Sequence, residues 1–152
     1  MNKKNIILIL LIFILNSCGF TPIYLNNTDL NFSIEKINYL GDREFNNFLK
    51  TNLNNYKNIE SDNKIFIDVS SDYKKIILSK DGSGEVTNYQ LIVEATFLIK
   101  PINKEIRISE KKIMESKTDK FEEARYEREM KLNFASSISD KLTSELIIIN
   151  DL

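Results

Sequence analysis

Asp81-Gly82-Ser83-Gly84 splits the longest patterned stretch of this chain in two and dictates how the halves can pair. Two glycines within four residues readily supply the positive φ that a tight reversal needs. Before the turn, over Lys64 to Lys80, Ile65, Ile67 and Val69 alternate with positions expected to be less buried. Ser70-Ser71-Asp72 weakens the alternation, and Tyr73 to Leu78 resumes it. After the turn, Tyr89, Leu91, Val93, Ala95, Phe97 and Ile99 project to one side, and Asn88, Gln90, Glu94 and Thr96 to the other, where Ile92 and Leu98 are the apolar exceptions. A period of two is the signature of a strand with one face buried and one mostly wet. Pro101 ends the return arm. The spacing therefore predicts a long antiparallel hairpin, with arms of about ten residues or more that project beyond any helices covering them.

The flanking segments supply the partners of this hairpin. Phe32, Ile34, Ile37 and Tyr39 predict a first strand whose apolar phase shifts midway, as a bulge would produce. Gly41-Asp42 opens a helix, with Asp42 as N-cap. Phe45, Phe48, Leu49, Leu53 and Tyr56 share one face of it, and Asn46, Asn47, Lys50 and Asn54 the other. Lys104 to Lys117 reads as a fourth strand, with Ile106 and Ile108 on one face and a phase change before Ile113 and Met114. Asp119-Lys120-Phe121-Glu122 resembles a capping box opening a last helix. There Tyr126, Met130, Phe134, Ile138 and Leu142 step by four beside Ala135 and Leu146, opposite a charged face that includes Glu122, Glu123, Arg125, Glu127, Arg128 and Lys131. The apolar end, Leu146 to Ile149, is expected to dock. The order β-α-β-β-β-α predicts an α/β (α+β) two-layer sandwich, a four-stranded, mostly antiparallel sheet with two helices on one face and the other face open.

The N-terminus carries an address. Lys3 and Lys4 precede ten uninterrupted apolar residues, Ile6 to Leu15, and small Ser17 precedes Cys18, the only cysteine. These are the three parts of an export signal. The apolar run is about half the ~20 residues a spanning helix needs. Leu15-Asn16-Ser17-Cys18 resembles the lipoprotein signal-peptide motif, which makes Cys18 the acylated first residue of the mature protein. Acylation also removes a thiol that would otherwise lack a partner in an oxidising compartment. Gly19 stands where an aspartate would imply inner-membrane retention by enterobacterial sorting rules, which favours the outer membrane. The expected organisation is residues 1–17 as a removed signal peptide, 18–30 as a lipidated tether, and 31–152 as one α/β sandwich domain.

Composition narrows the chemistry. Without Lys3 and Lys4 the mature chain has 19 basic and 22 acidic side chains, a net charge of −3. That balance provides no whole-domain attraction to nucleic acid. The sequence has no histidine, no tryptophan and no second cysteine. Histidine acid–base chemistry, a Ser-His-Asp triad, thiol catalysis and a Cys/His zinc site are therefore excluded. Asp68, Asp72 and Asp81 are scattered along a strand and turn and form no catalytic pair, and Gly82-Ser83-Gly84 is too short for a nucleotide loop. No enzyme activity, cofactor or metal site is expected.

Cys18-Gly19-Phe20-Thr21-Pro22-Ile23-Tyr24 resembles the mature start of the lipopolysaccharide-assembly lipoprotein family LptE, in its alphaproteobacterial form. Asn88-Tyr89-Gln90-Leu91 after the hairpin turn and Phe134-Ala135 in the last helix are similar to segments of that family. The resemblance covers the whole mature chain, although the family's Tyr-rich, Arg-bearing helical segment is only loosely echoed. It implies a non-enzymatic plug inside the outer-membrane β-barrel LptD, which helps that barrel assemble and receive lipopolysaccharide. The family's basic residues near the hairpin tip and on the last helix contact the lipid; by position, the counterparts here are Lys80 and Lys131. An ammonium can pair with the phosphates of such a headgroup. Two other readings remain open: a lipid-binding lipoprotein serving another transport system, which requires an apolar pocket between sheet and helices, and a periplasmic hydrolase built on carboxylates.

Overall fold

A computed structural model of the chain describes residues 32–57 and 61–150. The signal peptide, Cys18 and the tether lie outside the described residues. The elements are β1 (Ser33–Gly41), α1 (Arg43–Leu53) with a short 3-10 turn at Asn54–Tyr56, β2 (Lys64–Lys80), β3 (Val86–Lys100), β4 (Lys104–Glu115) and α2 (Lys120–Asn150). The predicted β-α-β-β-β-α order is the observed one. The sheet runs β1-β2-β3-β4. β1 pairs with β2 in parallel, and β2, β3 and β4 form an antiparallel meander. A parallel pair needs a crossover, and α1 supplies it.

Period-two alternation seats Ile65, Ile67 and Val69 of β2 and Leu91, Val93, Ala95, Phe97 and Ile99 of β3 on one face. Against them pack Phe45, Leu49 and Leu53 of α1 and Phe134, Ala135, Ile138, Leu142 and Leu146 of α2. Removing a phenylalanine such as Phe97 from water contributes roughly 1.5–3 kcal/mol. Ile147 and Ile149 pack on the core edge, so the apolar end of α2 does dock, with Ile148 left outside. In β1 the register slips between Ile34 and Lys36, so Glu35 is the extra residue of a bulge. The slip lets both Ile34 and Ile37 reach the core.

The junction between β1 and α1 is tightly determined. Gly41 has φ +105°, and a Cβ there would lie 1.8 Å from the Ser71 carbonyl oxygen. Glycine alone avoids both the left-handed strain and the clash. Asp42 then caps α1, its side chain accepting from the Phe45 N–H at 2.7 Å.

Three local expectations are corrected. Asn46, assigned to the wet face of α1, is buried. It donates to the Leu40 carbonyl, and its Oδ1 accepts from the Ser71 hydroxyl at 2.9 Å. Ser71 is thus a core-facing residue bonded to a polar knot. In β4 there is no phase change: the register runs without slip from Lys104 to Glu115. Met114 stays on the covered face with Ile106 and Ile108, and Ile113 is exposed on the open one. Glu110 and Lys112 occupy the covered face between them. Glu110 accepts from Ser137 and Lys141, and the Lys112 ammonium sits 5.7 Å from the centre of the Phe134 ring. Third, Glu123 and Lys131 of α2 are buried against neighbouring elements instead of solvated.

Candidate functional site

β2 and β3 run past the last apolar layer of the core, and the β4–α2 connection meets them there. The Ser116 N–H donates to the Thr87 carbonyl at 2.8 Å, which extends the sheet by one bond. Asp119 caps α2 by accepting from the Phe121 N–H at 2.8 Å. Glu123, one residue beyond the box position, is the acid that reaches back. Its Oε2 accepts from the Ser116 hydroxyl at 2.9 Å, the Lys117 N–H at 3.0 Å and the Lys120 ammonium at 3.3 Å. Its Oε1 takes the Lys75 ammonium at 3.1 Å.

The polar contacts continue along α2. Lys75 also donates to Glu127 at 2.9 Å and lies 4.1 Å from the centre of the Tyr89 ring. The Tyr73 hydroxyl donates to Glu127 at 2.7 Å. The Lys131 ammonium sits 4.1 Å over the Tyr73 ring and donates to Glu44 of α1 at 2.9 Å. One network therefore joins α1, α2, β2, β3 and the β4–α2 connection.

Its electrostatics are self-consistent. Burial pushes the Glu123 carboxyl up, but the Lys117 N–H, Lys75, Ser116 and Lys120 outweigh it and bring the pKa down to about 2. Glu127 is likewise held below its ordinary value, burial being outweighed by hydrogen bonds from Lys75 and Tyr73. The Lys75 ammonium is raised, its own burial overcome by the two carboxylates. Burial, and then the bond to Glu127, push the Tyr73 phenol up. All four groups thus hold their neutral-pH protonation states firmly.

Beside the network lies an open cleft of about 810 Å³ between the hairpin tip and the start of α2, lined by Asp81, Glu85, Tyr89, Glu115, Ser116, Lys117 and Lys120 among others. The turn above it is held by Asp81, whose Oδ1 accepts from the Ser83 and Glu85 N–H groups, each at 2.9 Å. Around this end Ile76, Ile77, Leu78, Ile113 and Phe121 are all exposed. A second hollow of about 340 Å³ opens near Tyr39, Leu40 and Leu98. The buried Tyr39 hydroxyl has no hydrogen-bond partner among the described residues, and burial pushes it up to about 12.

The structure does not bring the two sequence-predicted lysines together. Lys80 is exposed at the projecting turn, in register with Val86. Lys131 is buried and bound to Glu44 and Tyr73, so its ammonium faces the interior of the domain. The layer between sheet and helices is filled by Phe45, Phe97, Phe134, Ile138 and their neighbours, where the lipid-carrier reading requires a pocket. Sequence reasoning missed Lys75, Glu123 and Glu127. Two signals pointed to them: Tyr73 and Lys75 continue the odd-numbered face of Ile65, Ile67 and Val69, and Glu123, Glu127 and Lys131 step by four into buried Ala135.

No family model matches this sequence, and no curated protein matches it. Solved structures do share the fold. Rare lipoprotein B from Shewanella oneidensis is similar at 17% identity over 76% of this chain and 98% of that one, with a TM-score of 0.54. A minor lipoprotein from Acinetobacter baumannii is similar at 12% identity over 73% of this chain and 94% of that one, with a TM-score of 0.50. The fold is therefore an α+β sandwich of a kind found in bacterial lipoproteins, with rare lipoprotein B among its representatives.

Proposed function

We propose that this protein is an outer-membrane lipoprotein, anchored through acylated Cys18, that plugs and helps assemble an LptD-like β-barrel in lipopolysaccharide transport and insertion. The observation that carries the proposal is the fold shared with almost the entire length of rare lipoprotein B, in a chain whose N-terminus bears a lipoprotein signal. The surface supports it in kind. Barrel interiors are polar, and this sheet's open face presents Lys36, Asn38, Asp72, Lys74, Glu94 and Arg107, alongside exposed Phe66, Ile76 and Ile113. The role is one of contact and not turnover, with no cofactor. The domain faces the periplasm or sits within the barrel lumen, and the exposed Lys80 at the hairpin tip pairs with phosphates of the lipid headgroup as a point charge.

Affinity capture from detergent-solubilised outer membranes tests the partner: a large β-barrel protein co-purifies, and recovery of the lipoprotein alone would sink the idea. The anchor is tested separately. Cys18→Ser abolishes incorporation of labelled palmitate and releases the protein from the membrane fraction, whereas undiminished labelling would place the acyl chains elsewhere.

A further inference from the structure

Glu123 is held in an unusual way for a residue in the first turns of an exposed helix. Its side chain is only 8% exposed. Its two oxygens receive four donors from three separate segments: Lys75 of β2, the Ser116 hydroxyl and Lys117 N–H of the connection, and Lys120 of α2. Two ammonium groups, a hydroxyl and a main-chain N–H converging on one point make a donor set for an oxyanion, since charge-assisted bonds of this kind are the strong ones. Ser116, Lys117 and Lys120 also line the 810 Å³ cleft, as does Tyr89, whose ring lies under the Lys75 ammonium. Three of the four donor residues therefore border an open volume in the size range of ligand sites, and the Glu123 carboxylate lies behind them, within 3.3 Å of each donor atom.

We infer that these four donors form a phosphate-class oxyanion site whose resident occupant is the chain's own Glu123, and that an external phosphate group enters only when the first turns of α2 lift from the sheet. A phosphate carries the same charge sign and more acceptor oxygens than the carboxylate it replaces, so every donor retains a partner. The intramolecular occupant competes at an effective concentration in the millimolar range, which keeps the site shut against dilute monovalent ligands. The inference is independent of any barrel partner, since its donors and occupant all belong to this chain.

The test uses the full chain in a phosphate-free detergent. Glu123→Ala vacates the cradle, and its melting temperature rises by about 3–6 °C with ~10 mM inorganic phosphate over chloride at matched ionic strength. The unsubstituted chain moves by less than about 1 °C. Adding Lys75→Met to Glu123→Ala abolishes the response. A Glu123→Ala chain that responds no more than the unsubstituted one to inorganic phosphate and to phosphatidate alike overturns the proposal. If that variant fails to fold, Glu123→Ser, which also leaves the cradle empty, is read in the same way. Short-chain phosphatidate against phosphatidylcholine in micelles separates the sources. A response to phosphatidate alone assigns the site to a lipid headgroup, a response to phosphatidate and inorganic phosphate assigns it to the phosphate group itself, and a response to neither overturns it. Hydrogen exchange on the unsubstituted chain reads the lift directly: residues 120–127 exchange faster than 134–146, and equal protection of both overturns the inference.

Discussion

From Phe134 to Leu146 helix α2 meets the rest of the domain chiefly through Phe134, Ala135, Ile138 and Leu142, with Ser137 and Lys141 bonded to Glu110 at the edge; from Lys120 to Lys131 it does so chiefly through Glu123, Glu127 and Lys131, beside half-buried Tyr126 and Met130. One continuous helix thus crosses from an oil-like contact to an ionic one. Apolar burial is non-directional and grows with area, so the first region tolerates small shifts and seals the core. The second depends on named partners at 2.7 to 3.1 Å. Half-buried ion pairs roughly break even against desolvation, yet are costly to leave half-made. The difference predicts that the two ends of α2 part from the sheet independently.

The contrast can be broken most forcefully in the apolar region. Phe134→Ala removes a fully buried ring and costs about 3–5 kcal/mol in urea denaturation; an equal loss from Glu127→Ala would erase the distinction between the regions. Next in size, Lys75→Met takes the shared ammonium from two carboxylates, leaving Glu123 its other three donors and Glu127 the Tyr73 hydroxyl, and costs about 1–3 kcal/mol. Hydrogen exchange should then accelerate over residues 120–131 and leave 134–146 unchanged, and uniform acceleration would show the helix opening as one unit.

Acid sharpens the comparison, because Glu123 and Glu127, both held below their ordinary values, lie in the ionic region. The Glu123 carboxyl lies below its ordinary 4.5, at about 2. A group depressed on folding contributes stability above the unfolded pKa and loses it as pH falls through the folded one. The ionic region therefore weakens between about pH 4.5 and 2, and Glu123→Gln flattens that part of the stability curve. An unchanged slope in the variant would assign the acid loss to other groups. The smallest effect belongs to neither region. Arg107→Ala removes an exposed pair with Glu105 at 3.3 Å on the open face and shifts stability by no more than about 0.5 kcal/mol.

The sequence was most legible where a periodic pattern met its expected partner. The odd-numbered face of β3, the bulge at Glu35, the Asp42 cap and the step-by-four stripe of α2 all follow from spacing within one element. The fold class followed with them. What stayed hidden was polar matter on a buried face. Ser71, Glu110 and Lys112 interrupt apolar patterns, so they resemble a weakened strand or a changed phase, although the pleat never breaks. Their partners are remote along the chain: Asn46 for Ser71, Lys141 for Glu110, and Glu123 and Glu127 for Lys75. A lysine at a strand position carries no local sign of whether a carboxylate lies opposite, and that is why Lys131 read as a solvated candidate for lipid contact. Lys80 was correctly placed at an exposed turn because glycine chemistry marks the turn itself.

The parallel β1–β2 pair has a further consequence for reach. The Ser33 N–H donates to the Asn63 carbonyl at 2.9 Å, and the Asn63 side chain bonds that of Asn150. The starts of β1 and β2 and the end of α2 therefore share one end of the domain, and the Asp81–Glu85 turn marks the other. β2, with 17 residues, is about 55 Å long at ~3.3 Å per residue. Residues 18–31 can extend at most about 50 Å. If the chain is anchored at Cys18 as proposed, its hairpin tip can stand at most on the order of 100 Å from that anchor, far enough to meet a partner well away from the bilayer surface.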